Sequence, residues 1–240
     1  MNVTRRHFAA LAAGSAVAGA GCLGGGDAEG DGNGDGDGNG NDGGNGNDNG
    51  NGNGNGDGSD SGVDEDDLLE IPVIGDPDAD VTVTVFEDFG CGHCAIYHTE
   101  IFPDIKEAYV DAEQIRYEHR DFPIPVQEEW SYAVASAARS VQDQEGNEAF
   151  FEFTGEILTH WEDGYSYDLI EQVAGDLGFD AEQVRADAED VTYRDGLEAE
   201  RAYGMEQGIN ETPWIVVDGE RVEPDTAAIV GAIDEALADD

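Results

Sequence analysis

The chain has 240 residues, 39% of them hydrophobic, and its 56 acids against 10 bases give a formal net charge of −46. Such a balance excludes nucleic acid and anionic lipid as partners of the folded part, because binding either would bring like charges together. Three cysteines are too few for a disulfide framework.

The chain opens Met1-Asn2-Val3-Thr4-Arg5-Arg6-His7-Phe8 and runs through small, modestly apolar residues to Cys22. A basic start before a short apolar run is the layout of an export signal, and the run is too short for a membrane helix. The paired arginines with Phe8 resemble a twin-arginine signal, a route taken by proteins already folded. Gly19-Ala20-Gly21-Cys22 resembles a lipobox, which implies lipid on the sulfur of Cys22, although Gly19 stands where a bulky aliphatic residue is usual. The alternative is an ordinary cleaved signal with an incidental cysteine. Residues 23–62 are almost entirely Gly, Asn and Asp. They offer no apolar area against the entropy of ordering, so a flexible linker is expected there.

Residues 63–240 form the expected domain, and with 47 acids against eight bases they are acidic in their own right. Lys106 is the only lysine. An acid-rich, lysine-poor surface resembles that of proteins working at molar salt, where repulsion is screened over about 3 Å. Halophilic adaptation is therefore expected, rather than specific binding of cations by this charge.

Val81–Phe86 alternates β-branched residues and ends in an aromatic, which predicts a strand. A helix is expected to start at Cys91 and to be kinked or interrupted by Pro103. A second strand over Ile115–Arg120 completes a βαβ unit with parallel strands. Helices are predicted over Glu129–Gln144, Glu148–His160, Tyr167–Leu177, Ala181–Glu189 and Thr192–Gln207, with Ala133, Ala137 and Ala138 suited to close packing. The chain returns to strand at Trp214–Val217, turns at Asp218-Gly219, a favoured hairpin dipeptide, and pairs again near Arg221-Val222. A helix from Thr226 to Leu237 ends it. The expected class is α/β, a βαβ half and a ββα half separated by a helical insertion over about residues 128–207.

Cys91 and Cys94, at i and i+3 of one helical turn, can form a small ring that is easily made and broken. Unpaired N–H groups at the helix start favour the thiolate of Cys91, and such cysteines ionise at about 3.5 to 7.5 against about 8.5 for a free one. Cys91 is expected to be the exposed nucleophile and Cys94 the buried resolving thiol. His93, between them, can add charge or a hydrogen bond to the same thiolate. A static disulfide is one alternative. Another is zinc, which needs a second pair of ligands that His98 and His119 could supply; no metal or other cofactor is expected.

The run VTVTVFEDFGCGHC from Val81 to Cys94, with Arg120-Asp121-Phe122-Pro123 and Thr212-Pro213-Trp214, resembles the DsbA-like branch of the thioredoxin superfamily over nearly all of residues 70–238. The resemblance implies a thioredoxin-like fold and protein thiol-disulfide oxidoreductase activity. It further implies a cis peptide bond at Pro213 facing the cysteines, with Thr212 offering backbone groups to a bound peptide. Two departures stand out. Gly92-His93 replaces the Pro-His of the most oxidising relatives. Val85 occupies the place, six residues before Cys91, where many relatives carry a buried acid; Glu87 and Asp88 are nearby, and neither is expected to replace it fully.

The expected activity is disulfide donation to, or reshuffling in, exported cysteine-containing proteins, on the outer face of the cell membrane. The resemblance implies reoxidation by a quinone-linked membrane partner. A lipid-anchored copper(I) metallochaperone using the same thiols and a peptide-binding module with vestigial cysteines are the alternatives. Arg120 and Trp130 fit either a binding face or simple packing, and a monomer is expected.

Overall fold

The computed structural model describes residues 68–124 and 127–239. The expected signal (1–22), Cys22, the linker (23–62) and the first five residues of the expected domain lie outside them.

Five strands form one sheet in the order β1-β3-β2-β4-β5. They are β1 (Val73–Gly75), β2 (Thr82–Glu87), β3 (Arg116–Asp121), β4 (Trp214–Val217) and β5 (Glu220–Val222). β2 and β3 run parallel, with Val85 opposite His119 and Glu87 opposite Asp121; the other pairings are antiparallel. The Asp218-Gly219 turn has positive φ at both residues, 47° and 86°, the backbone of a tight hairpin whose twist matches its strands.

The parallel pair is joined by a helical crossover, α1 (Gly92–Ile96) and α2 (Phe102–Ile105), threaded by π turns at Tyr97–Ile101 and Lys106–Val110. Pro103 does not break it. The ring, which cannot donate to the preceding turn, follows a π turn in which the Phe102 N–H reaches Tyr97 O. Between β3 and β4 come α3 (Glu128–Glu145), α4 (Asn147–Leu158), α5 (Tyr167–Leu177), α6 (Ala181–Asp190) and α7 (Arg194–Glu206). Ala133, Ala137 and Ala138 are fully buried on α3. α8 (Thr226–Asp239) closes the fold against β4 and β5. The strand periodicity of two sorts the sheet residues. Val83, Val85, Glu87, Tyr117, His119 and Asp121 face the main core. Phe86 joins Phe122 and Ile209 in a smaller cluster on the opposite face, where Gly204 of α7 approaches so closely that a Cβ would lie 2.7 Å from the Phe122 ring.

Candidate active site

β2 delivers Asp88, Phe89 and Gly90 to the start of α1. Cys91 is the N-cap residue, with extended backbone (φ −92°, ψ 121°), and so stands just before the helix rather than as its first residue. A helix start carries N–H groups that lack helical acceptors, the physical reason such a position favours an anion. The Cys91 thiol is pulled down to about 5: a hydrogen bond from Cys94 is the largest cause, burial works against it, and the Thr212 side chain and the backbone N–H groups of Cys94 and His93 assist. The Thr212 hydroxyl is buried with no hydrogen-bond partner among the described residues. The Cys91 thiol also lies 3.5 Å from the Thr212 carbonyl oxygen.

Cys94 behaves in the opposite way. It is fully buried, and burial, its hydrogen bond to Cys91 and the charge of Glu87 push its thiol well above the ordinary range. The Asp88 N–H points at its sulfur from 3.5 Å. The pair is thus electrically asymmetric, one sulfur tuned to be an anion and the other to hold its proton.

Two expectations need correction, and one open choice is resolved. Cys91 is not exposed: only 9% of it is accessible, because it sits at the floor of a cavity of about 900 Å³ walled by Ile96, Ile124, Leu158, Trp161 and Thr212. His93 is exposed, and no hydrogen bond joins its imidazole to either sulfur; its contribution to Cys91 comes through its backbone N–H. Arg120 and Trp130 pack. Arg120 Nη1 donates to both carboxylate oxygens of Glu200 at 2.9 and 3.0 Å and lies over Tyr203, while Trp130 packs against Tyr165 and Tyr167.

Thr212-Pro213 enters β4 through a cis peptide bond and brings Thr212 against Cys91. Trp161, which sequence reasoning did not single out, stands over Gly92: a Cβ there would meet the indole at 2.8 Å. Its Nε1 donates to the Gly90 carbonyl at 3.3 Å. Glycine between the cysteines is therefore a packing requirement of this cavity, and a Pro-His dipeptide would displace the indole. Tyr165 donates to the Phe89 carbonyl at 3.0 Å and steadies the same loop.

Asp88 is buried as well. Its two oxygens accept the N–H groups of Gly90 at 2.8 Å and Ile124 at 3.0 Å, yet burial still raises its carboxyl to about 6. Glu87 lies on the core face with Val85. Burial opposes its ionisation, but the charge and hydrogen bond of His98 and the adjacent His119 overcome this and hold it at about 2. Against burial, a hydrogen bond to Asp121 and the neighbouring Glu87 carboxylate raise His119 to about 9. Asp121 is in turn held by Arg139 Nε at 2.7 Å. His98 and His119 thus gather around Glu87, not around the cysteines, and Glu87, His98 and His119 are the group among the described residues whose ligand atoms lie close enough to hold a metal.

A strand-to-helix dithiol facing a Thr-Pro turn, on a sheet with a parallel pair at its centre, is the architecture of a thiol-disulfide oxidoreductase. The thioredoxin family model matches residues 69–235, and the chain belongs to that family, with DsbA-like relatives. A probable disulfide bond formation protein D of Bacillus cereus is 26% identical over 172 residues, covering 68% of this chain and 77% of that protein. A putative protein-disulfide oxidoreductase of Rickettsia bellii is 38% identical over 60 residues, a quarter of this chain and 22% of its own length. Among solved structures, oxidised BdbD from Bacillus subtilis superposes with a TM-score of 0.63 at 22% identity, covering 70% of this chain and 93% of that one. A thioredoxin-like oxidoreductase from Silicibacter pomeroyi gives 0.56 at 27% identity, covering 73% and 98%. The chain is a protein-disulfide oxidoreductase with a DsbA-like fold.

Proposed function

We propose that the Cys91-Gly92-His93-Cys94 pair donates its disulfide to exported cysteine-containing proteins and, when reduced, reshuffles theirs. The observation that carries this reading is the asymmetry of the two thiols: Cys91 stands at the start of α1 beside Thr212, where its thiol is drawn down to about 5, while Cys94 is fully buried and pushed well above the ordinary range.

In the donor direction a client thiolate attacks Cys91 Sγ, the Cys91–Cys94 bond breaks, and Cys94 departs and takes up a proton. A second client thiolate then attacks the client sulfur of the mixed disulfide, forming the client disulfide and releasing Cys91 as a thiolate. Two electrons pass from client to enzyme. A low leaving-group pKa speeds the last step, which is where the ionisation of Cys91 acts. In reshuffling, the Cys91 thiolate attacks a client disulfide and is itself displaced by a client thiol. The cavity around Cys91 accepts an extended client segment, with the backbone of Thr212 beside it.

Donation needs an oxidising compartment and a reoxidant, so the reading includes export by the twin-arginine-type signal, tethering at the outer membrane face through lipid on Cys22, and a quinone-linked membrane partner. It further includes a monomeric state and adaptation to high salt. The test is the reduction potential, measured against glutathione in high salt, together with refolding of a reduced client. A value near about −120 mV with client oxidation supports donation, and one near about −270 mV marks a reductase and overturns it. Tight, stoichiometric copper(I) binding without thiol exchange overturns the enzymatic reading in favour of a metal carrier.

A further inference from the structure

Behind the dithiol, three elements bring buried ligand groups together: Glu87 at the end of β2, His98 in the first π turn and His119 in β3. One ligand atom of each lies within 4.8 Å of the other two. Glu87 Oε2 is 2.8 Å from His98 Nε2 and 3.3 Å from His119 Nδ1. Neighbouring donors around a tetrahedral zinc with bonds of about 2.0 to 2.1 Å are about 3.3 Å apart, so the two imidazoles need to close by at most about 1.5 Å.

Two independent features point to a ligand. His119 Nδ1, one of the converging ligand atoms, is buried without a hydrogen bond and meets Glu87 Oε2 only as an ion-pair contact at 3.3 Å, while the second oxygen of Glu87 and the outer nitrogen of His98 are likewise buried without partners, a costly state for polar atoms. The far side of His119 is already oriented: its Nε2 meets Asp121 Oδ1 at 3.2 Å, and Arg139 Nε holds Asp121 Oδ2 at 2.7 Å. That is the carboxylate–histidine support that metal-bound imidazoles carry. His98 also borders a second cavity of about 790 Å³, bounded by Phe102, Phe151 and Thr159, which supplies an entry path.

We propose that Glu87, His98 and His119 form a two-histidine, one-carboxylate site for a zinc-class divalent cation. Two imidazoles select such an ion over calcium or magnesium, which prefer all-oxygen shells. An ion held there faces the Glu87 carboxylate directly, while Arg139 keeps its hold on Asp121, and it ties β2, β3 and the crossover helix together. The site uses neither cysteine as a ligand, although its Glu87 also bears on the Cys94 thiol.

The test takes the full chain with Cys22, Cys91 and Cys94 replaced by serine, so that no thiol can hold the metal. It is equilibrated with zinc in high salt and excess magnesium, which occupies surface carboxylates, and then desalted. About one zinc per chain is expected, with two imidazoles in the X-ray absorption spectrum and a raised Tm. His98→Gln and, separately, Glu87→Gln are expected to weaken retention by at least about tenfold. Less than about 0.1 zinc per chain overturns the proposal. Retained zinc whose spectrum lacks imidazole also overturns it, as the mark of surface acids, and this measurement needs no variant that might misfold.

Discussion

The ionisation of Cys91 gives the most direct measurement. With a thiol at about 5, about 90% of it is thiolate at pH 6, against about 0.3% for a free cysteine at about 8.5, a ratio of about 300. Low-pKa thiolates are weaker nucleophiles, with a Brønsted slope of about 0.4 to 0.5, which returns a factor of about 25 to 55. The net advantage in alkylation at pH 6 is therefore only about 5- to 12-fold, and the midpoint of the pH profile is the sharper readout. The hydrogen bond from Cys94 is the largest cause of the shift. Cys94→Ala removes it while leaving Thr212 and the helix N–H groups in place, and the midpoint is expected to rise by at least about one unit. Iodoacetamide labelling of the reduced protein between pH 4 and 9, read at the Cys91 peptide by mass spectrometry, follows both proteins without interference from Cys22. A midpoint near 8.5 in the unaltered protein, or an unmoved midpoint in the variant, refutes the reasoning.

The same shift enters stability. Cys91 is an acid whose folded pKa lies below its unfolded value, so its contribution is complete above about pH 8.5 and fades as pH falls through about 5. The full shift corresponds to about 5 kcal/mol, which solvent reaching the cavity screens to about 2 kcal/mol. Urea unfolding of the reduced protein in high salt is expected to show that loss between pH 8.5 and 5, and Cys91→Ser to lack it. Gly92→Pro pushes the Trp161 ring out of its seat; a changed indole emission is expected, and identical spectra would count against the packing account of this glycine. Arg139→Met leaves Asp121 buried without its guanidinium, a loss of about 3 to 5 kcal/mol in urea unfolding, whereas a loss below about 1 kcal/mol would show the pair to be water-compensated. Gly204→Ala drives a methyl into Phe122 and is expected to cost about 1 to 3 kcal/mol, read as a lower Tm.

Much of this protein is written locally. The alternation of Val81–Phe86, the apolar spacing of the five helices between β3 and β4, and Asp218-Gly219 each express a backbone preference carried within a few residues. Their elements lie where those signals stand, give or take a residue or two. Cys91 and Cys94 were legible for the same reason, since a strand end, a helix start and a spacing of three are all contiguous features. The resemblance to a known family added Thr212-Pro213, a contact across 121 residues that no local pattern announces.

What lies between segments was decided by the tertiary structure alone. β1 is three residues long, too short to show alternation, and exists because β3 offers it a free edge. The depth of Cys91 depends on Trp161, which a helical insertion swings over Gly92 from seventy residues away. Glu87 could be assigned a face by counting from Val85, but its partners come from a π turn and a neighbouring strand. Whether such a carboxylate is ionised turns on desolvation against a few close charges, and those distances belong to the folded chain.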